Sequence, residues 1–210
     1  MELWQQALLL ITGLLAIYLL WRFYGRYQKE RGLYDIYYML GFAVLLVSGL
    51  LLIFLGWDIL ASPYVLTVAS LIPLGISLGI ANQYYPSWKK IYAWFALVGI
   101  LAIAISSIAE DTSSIAYMDT LKKISVPLFH GVAGLIIFLG PFFAKDAAKG
   151  FWWVGVGGVL IGIGGIALAF LTAGSQLLFF DKVFVLQILA PLLLLMTLAF
   201  TLGFTKDITS

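Results

Sequence analysis

The chain has 210 residues, of which 63% are hydrophobic and only 10% are charged, and its mean hydropathy is +1.06. A soluble globular domain has an apolar share nearer one half, so this composition excludes that class and predicts an integral membrane protein. The net charge of +2 comes from scattered basic residues, which disfavours a nucleic-acid partner. The chain contains no cysteine, which excludes disulfides, thiolate metal sites and cysteine nucleophiles.

Seven apolar stretches are long enough to cross a bilayer as helices of about 20 residues. They predict an all-α, polytopic protein with a single transmembrane domain over residues 1–210. The first stretch follows Met1 and Glu2 without a basic segment or a small-residue cleavage site, so we interpret it as a retained helix rather than a signal peptide. The predicted spans are Leu3–Trp21, Asp35–Trp57, Tyr64–Tyr84, Ile91–Ile108, Ile124–Phe143, Phe151–Thr172 and Val183–Phe204.

The basic residues are distributed unequally between the two sides of the predicted membrane domain. By the positive-inside rule, the side with more lysine and arginine is cytoplasmic. We therefore expect the N-terminus outside and the C-terminus inside, in the plasma membrane. The basic residues on the predicted inner side are Arg22, Arg26, Lys29, Arg31, Lys89, Lys90, Lys145, Lys149 and Lys206, and those on the outer side are Lys122, Lys123 and Lys182.

Charged residues are predicted to stay outside the membrane interior. The segment Arg22–Tyr34 mixes Arg, Lys, Glu and Tyr, which indicates a helical extension of the first span with a wet, basic face. No Asp, Glu, Lys or Arg lies in the middle of a predicted span. Because ionisable groups in the bilayer mark ion and proton pathways, this pattern disfavours proton pumping and ion-coupled transport.

Small residues form a stripe along one face of the sixth predicted span. They recur at steps of three and four residues, which places them on one side of a helix. Such a stripe lets another backbone come close, and in lipid it is a typical packing face. Its partner can be a helix of this chain, a second copy, another subunit, or a flat lipid or cofactor. The stripe consists of Gly155, Gly158, Gly162, Gly165 and Ala169.

Spans one to three resemble spans five to seven at three places, with offsets of 121, 116 and 118 residues. Similar offsets favour a parallel 3+1+3 repeat in which Ile91–Ile108 is the linking helix. The alternative is chance, since segments rich in Leu, Gly, Ala and Ile match one another easily. The matched positions are Gly13 with Gly134, Ser48 with Gly164, and Pro73 with Pro191.

The predicted plan is similar to that of SWEET-type sugar transporters in helix count, topology and repeat order, and to that of rhodopsins in helix count and topology. The resemblance stops at the plan. The chain has no proline–glutamine pair of the PQ-loop kind, and its seventh span has no lysine that could carry a retinal Schiff base. We therefore expect no covalently bound retinal, and the plan assigns the chain to no family.

His130 is the only histidine and the only candidate cofactor-binding residue. It could bind a quinone head group, relay a proton or contribute one metal ligand. The plainer interpretation is a neutral imidazole hydrogen-bonded to a neighbouring helix or to a carbonyl that Pro127 frees. With one histidine and no cysteine, we expect neither bis-histidine haem ligation nor a metal site within this chain.

Four polar residues are candidates for a substrate site. Ser70 and Ser77 lie seven residues apart around Pro73, which places them on one helix face, and a broken helix is where transporters hold their substrates. The alternative is that they form ordinary interhelical hydrogen bonds, which are worth about 0.6 kcal/mol in membranes. The candidates are Ser70, Ser77, Asn82 and Gln187.

Two classes of function follow from these observations. The first is a non-enzymatic accessory subunit or sensory module that packs against other membrane proteins, or against itself, through the glycine face. The second is a transporter or channel for a small neutral solute with a site near Pro73 and Pro191. A membrane enzyme that acts on lipid or quinone through His130 is a more distant alternative, and no catalytic residue is assigned.

Overall fold

The computed structural model describes residues 1–112, 116–173 and 182–209, without the side chains of residues 110–112, 116, 119, 168–173, 182 and 209. All regular secondary structure in this part of the chain is helical, as predicted. The helices are α1 (Leu3–Glu30), α2 (Leu33–Leu55), a 3₁₀ helix (Trp57–Ala61), α3 (Pro63–Ala69), α4 (Leu71–Tyr84), α5 (Lys89–Thr112), α6 (Ala116–Phe143), α7 (Trp152–Ala173) and α8 (Lys182–Thr209).

Within the described residues, six helical segments are long and apolar enough to cross a membrane. They correspond to α1, α2, α3 with α4, α5, α6 and α8. In α7 the described apolar segment, Trp152–Ala167, is shorter. Length and apolar character therefore support an integral, multi-pass membrane protein, as the composition predicts.

The third predicted span consists of two helices that meet at Ser70. Pro73 explains the break, because it lacks an N–H for the carbonyl of Ala69 and its ring crowds that carbonyl. The Ser70 hydroxyl instead donates a 2.6 Å hydrogen bond to the carbonyl of Thr67. Pro191 has no comparable effect, since α8 continues through it.

Six of the described helices contact one another in a closed order. Going around, α1 packs on α2, α2 on α4, α4 on α6, α6 on α7, α7 on α8, and α8 on α1. The remaining long helix, α5, packs against α3, α4 and α6. The result is a ring of six helices with α5 added beside it.

Every helix of the ring contributes to one apolar core, and aromatic side chains fill much of it. The Phe204 ring lies 4.7 Å from that of Tyr38, 5.2 Å from Phe23 and 5.9 Å from Phe42, measured between centroids. All four side chains are fully buried. Each aromatic pair contributes about 0.5–1.5 kcal/mol beyond its buried area, so this cluster stabilises the contact among α1, α2 and α8.

Candidate functional site

Charged and polar side chains meet at the end of the bundle where α1, α4 and α8 end and α2 begins. We call this group, which consists of Arg26, Asp35, Gln83, Tyr84 and Asp207, the polar cluster. The side chains of Arg26 and Asp207 are each 5% exposed, and that of Asp35 is completely buried. Buried charges of this kind are costly unless they are paired, and in membrane proteins they commonly mark functional sites.

Arg26 binds Asp35 through a single carboxylate oxygen. Its Nε donates a 2.8 Å hydrogen bond to Asp35 Oδ1, and its Nη2 lies 2.7 Å from the same oxygen. The other oxygen, Oδ2, is buried and has no hydrogen-bond partner among the described residues. Arg26 and Asp35 therefore do not form the bidentate pair in which each carboxylate oxygen accepts one hydrogen bond.

Asp207 is better satisfied than Asp35. Its Oδ2 accepts hydrogen bonds from Arg26 Nη1 at 2.8 Å and from Gln83 Nε2 at 3.0 Å. Its Oδ1 accepts a hydrogen bond from the phenol of Tyr84. Gln83 in turn accepts a 3.0 Å bond from the Tyr38 hydroxyl, so the cluster connects α1, α2, α4 and α8.

Aromatic rings enclose the guanidinium of Arg26. Its central carbon lies 5.0 Å from the ring centroid of Tyr34, 5.5 Å from Phe23 and 6.0 Å from Tyr38. Cation–π attraction at these distances compensates part of the desolvation of the charge. The cluster thus has one guanidinium and two carboxylates, and its chemistry suits the binding of one more positive charge.

The sequence-based interpretation missed this cluster. It placed Arg26 in a wet basic extension, Asp35 at the edge of the second span, and Asp207 beyond the last span. Helices α1 and α8 extend beyond the predicted spans, and the buried face of each helix extends with it. On α1 the buried Phe23 is followed three residues later by the buried Arg26, and on α8 Phe204 is followed in the same way by Asp207. If the periodicity of the buried face is continued past the end of the apolar stretch, it predicts that Arg26 and Asp207 are buried.

Two of the predicted substrate residues are buried and bonded to their own helix or a neighbour. The Ser77 hydroxyl lies 2.7 Å from the Pro73 carbonyl oxygen, 3.0 Å from the Leu74 carbonyl oxygen and 2.7 Å from the Tyr92 hydroxyl. Ser70 is also completely buried, and bonds Thr67. This geometry is that of interhelical and intrahelical hydrogen bonding.

The other two predicted substrate residues lie elsewhere. Asn82 is half-buried near the end of α4, and Gln187 is exposed on α8. A cavity of about 360 Å³ lies between α2, α4 and α5, and its walls are mainly apolar. Neither Ser70 nor Ser77 lines it. The structure therefore does not gather these four residues around one cavity.

His130 is half-buried on α6, and its Nδ1 lies 3.1 Å from the carbonyl oxygen of Val126. That carbonyl belongs to the same helix, one turn earlier, and is not the Lys123 carbonyl that Pro127 frees. No group of three or more His, Cys, Asp or Glu side chains with metal-binding geometry occurs in the described part of the chain.

The glycine stripe of α7 divides into two halves. A Cβ atom added to Gly158 would lie 2.6 Å from the backbone nitrogen of Phe138, and one added to Gly155 would lie 2.7 Å from the Phe138 carbonyl oxygen. These two glycines allow α6 and α7 to approach closely. Among the described residues, no packing neighbour lies within 4 Å of a Cβ added to Gly162 or Gly165. The side chain of Ala169 lies outside the described part.

Comparison of the chain with protein-family profiles, with curated proteins and with solved structures gave no match.

Proposed function

We propose that this protein is a non-enzymatic accessory subunit of the plasma membrane that binds a transmembrane helix of another protein with the open half of the α7 glycine stripe. The observation that carries this proposal is the division of the stripe. Helix α6 packs against Gly155 and Gly158. Gly162 and Gly165 continue the same helical face, and in the described part of the chain no neighbouring side chain or helix lies within 4 Å of a Cβ added to them.

A helix is the occupant that this surface suits best. Glycine at helical spacing exposes backbone, and backbone is what a second helix contacts closely in lipid. Two glycines of α6, Gly131 and Gly134, also have no packing neighbour from the described residues within 4 Å of an added Cβ. Flexible acyl chains gain little from such regular spacing, so an ordered partner helix makes better use of it.

The proposal includes seven spans, with the N-terminus outside and the C-terminus inside. The polar cluster supports this orientation. It brings together the ends of α1, α4 and α8 and the start of α2, so these four helix ends lie on one side of the membrane. Basic residues are close to these ends in the sequence, as expected for the cytoplasmic side. Seven crossings require α7 to span the bilayer along its full 22 residues.

We also propose that the two sets of three spans are parallel repeats. The order of contacts supports this, since α1–α2–α4 and α6–α7–α8 follow each other around the ring and are joined by equivalent contacts, α4 with α6 and α8 with α1. A two-fold axis along the membrane normal would relate them, with α5 outside the symmetric unit.

Photocrosslinking tests the docking surface. Because the chain has no native cysteine, a benzophenone can be attached to one introduced thiol. We expect Ile166→Cys, beside the open glycines, to capture a distinct protein in native membranes. The same label at Leu97→Cys on α5, which is also exposed and apolar, is the control and should capture nothing specific.

Adding Gly162→Leu to the Ile166→Cys chain should abolish the crosslink, because the larger side chain fills the docking face. Crosslinking only to a second copy would indicate self-association and contradict the subunit proposal. A product that persists with Gly162→Leu would also contradict it, since the captured protein would then not need the glycine face.

Transport of a small neutral solute receives less support from the geometry. The predicted site near Pro73 and Pro191 would need polar side chains around a shared cavity, but Ser77 bonds Tyr92 and Gln187 is exposed. Catalysis by His130 receives no additional support, because general acid–base chemistry needs a partner within hydrogen-bond reach.

A further inference from the structure

The charges of the polar cluster do not balance. Arg26 is positively charged at all accessible pH values, whereas Asp35 and Asp207 would together carry two negative charges if both were ionised. All three charged side chains are buried, and an uncompensated charge in such a place is expensive. In proteins, a buried ionisable group commonly responds by becoming neutral.

We propose that the polar cluster is a proton-binding site in which Asp35 carries the proton on Oδ2 in the resting protein. One proton makes the cluster neutral, with Arg26 paired to the ionised Asp207. The proposal concerns a ligand different from the partner helix and does not depend on that docking surface.

The hydrogen bonds assign the proton to Asp35 rather than to Asp207. Both oxygens of Asp207 already accept hydrogen bonds from donors, so neither of them is left open for a proton. In Asp35 only Oδ1 accepts from Arg26, and Oδ2 has no partner among the described residues although it is buried. A proton on Oδ2 leaves the bond to Oδ1 intact and removes the charge from the oxygen that nothing stabilises.

A proton fits this position better than a metal ion does. Magnesium and calcium take about six or more oxygen ligands, supplied by protein or water. The neighbouring oxygens of Asp207 are already engaged by Arg26, Gln83 and Tyr84. The single unpaired oxygen of Asp35 is one ligand, which is enough for a proton.

Ionisable groups from all four helices lie in or beside the polar cluster. Among them, the carboxylate of Asp207 opposes the ionisation of Asp35, as does that of Glu30, and Arg26 favours it. The phenols are neutral near pH 7, since tyrosine ionises near pH 10. The groups are Arg26 and Glu30 on α1, Tyr34 and Tyr38 on α2, Tyr84 on α4, and Asp207 on α8.

The bound proton makes folding depend on pH. An aspartate in the unfolded chain ionises above about pH 4, so unfolding near neutral pH releases the proton. The folded state binds one more proton than the unfolded state, and stability therefore falls as pH rises. While the proton stays bound, the folding equilibrium constant should decrease about tenfold per pH unit, until Asp35 ionises in the folded state.

Infrared spectroscopy of the full chain in detergent tests the assignment. At neutral pH we expect the carbonyl band of a protonated carboxylic acid in the wild type and its loss in Asp35→Asn. The Asp35→Asn protein should fold, keep a wild-type melting temperature at neutral pH and lose the decrease with pH. Asp207→Asn is the matched control and should lower the melting temperature, because it removes an ionised partner of Arg26.

Three results would overturn the proposal. The first is the absence of a protonated carboxyl band in the wild-type protein, which needs no variant to fold. The second is a band that persists in Asp35→Asn. The third is a loss of stability in Asp35→Asn as large as in Asp207→Asn, since two ionised carboxylates would then share Arg26.

Discussion

At the scale of single residues, Ser77 and Tyr92 show how polar groups are accommodated in an apolar interior. Ser77 is completely buried and Tyr92 is 4% exposed, and their hydroxyls lie 2.7 Å apart between α4 and α5. The Ser77 hydroxyl also has carbonyl oxygens of its own helix within reach, at Pro73 and Leu74. Among the described residues, the Tyr92 hydroxyl has Ser77 as its single hydrogen-bond partner, so Tyr92 depends on Ser77 more than Ser77 depends on Tyr92.

That inequality predicts different costs for two substitutions. Ser77→Ala leaves the buried Tyr92 hydroxyl without its partner and should lower the free energy of unfolding by about 1–2 kcal/mol. Tyr92→Phe removes the hydroxyl itself and leaves Ser77 bonded to its helix, so it should cost less, near the roughly 0.6 kcal/mol average of membrane hydrogen bonds. Unfolding in mixed micelles measures both. Equal costs, or a larger cost for Tyr92→Phe, would contradict this asymmetry.

At the scale of elements, α7 depends on glycine where α6 approaches it and not elsewhere. Gly158→Ala places a methyl group 2.6 Å from the Phe138 nitrogen, and this contact is with backbone, which cannot rotate away. The helices must separate, at a cost of about 1–3 kcal/mol. In Gly162→Ala, on the same face, the added methyl group meets no packing neighbour within 4 Å in the described part of the chain, so this substitution should leave stability nearly unchanged.

Thermal unfolding of the purified protein in detergent measures this difference. We expect a lower melting temperature for Gly158→Ala and an unchanged or slightly higher one for Gly162→Ala, since alanine is the better helix former. A destabilised Gly162→Ala chain would mean that the open half of the stripe already packs within one copy of the protein. That outcome would also argue against the proposal that this half of the stripe binds a helix of another protein.

The sequence predicted most elements because the bilayer imposes a length and an apolar composition on each crossing helix. Spacing also placed the α7 glycines on one face. The pattern could not tell which half of that face α6 occupies, because this depends on how two helices cross. It also missed the polar cluster, since Arg26, Asp35 and Asp207 are far apart along the chain and only the ring of helices brings them together.

At the scale of the whole molecule, the contact between α8 and α1 closes the ring and joins the two ends of the chain. Near the polar cluster, Arg26 bonds Asp207 across this contact. Near the opposite end, the Gln5 side chain donates a 3.0 Å bond to the Leu186 carbonyl oxygen and accepts a 3.2 Å bond from Trp57. Polar bonds thus secure both ends of the contact, and apolar and aromatic packing fills the middle.

The proposed topology can be tested directly, because the two ends of the helix bundle must lie on opposite sides of the membrane. Single cysteines can be placed at Ala61, just before α3, and at Ser87, between α4 and α5; both positions are exposed. A membrane-impermeant maleimide should label Ala61→Cys in intact cells, and Ser87→Cys only after permeabilisation. The native chain, which has no cysteine, is the unlabelled control.

The physical reason for this expectation is the distribution of basic residues, since Lys89 and Lys90 directly follow the Ser87 connection and the positive-inside rule retains such segments in the cytoplasm. The opposite labelling pattern would mean that the protein has the inverted orientation, with the polar cluster on the outer side of the membrane. The proton proposed for Asp35 would then exchange with the external medium, so labelling at these two positions also determines which compartment's pH the cluster senses.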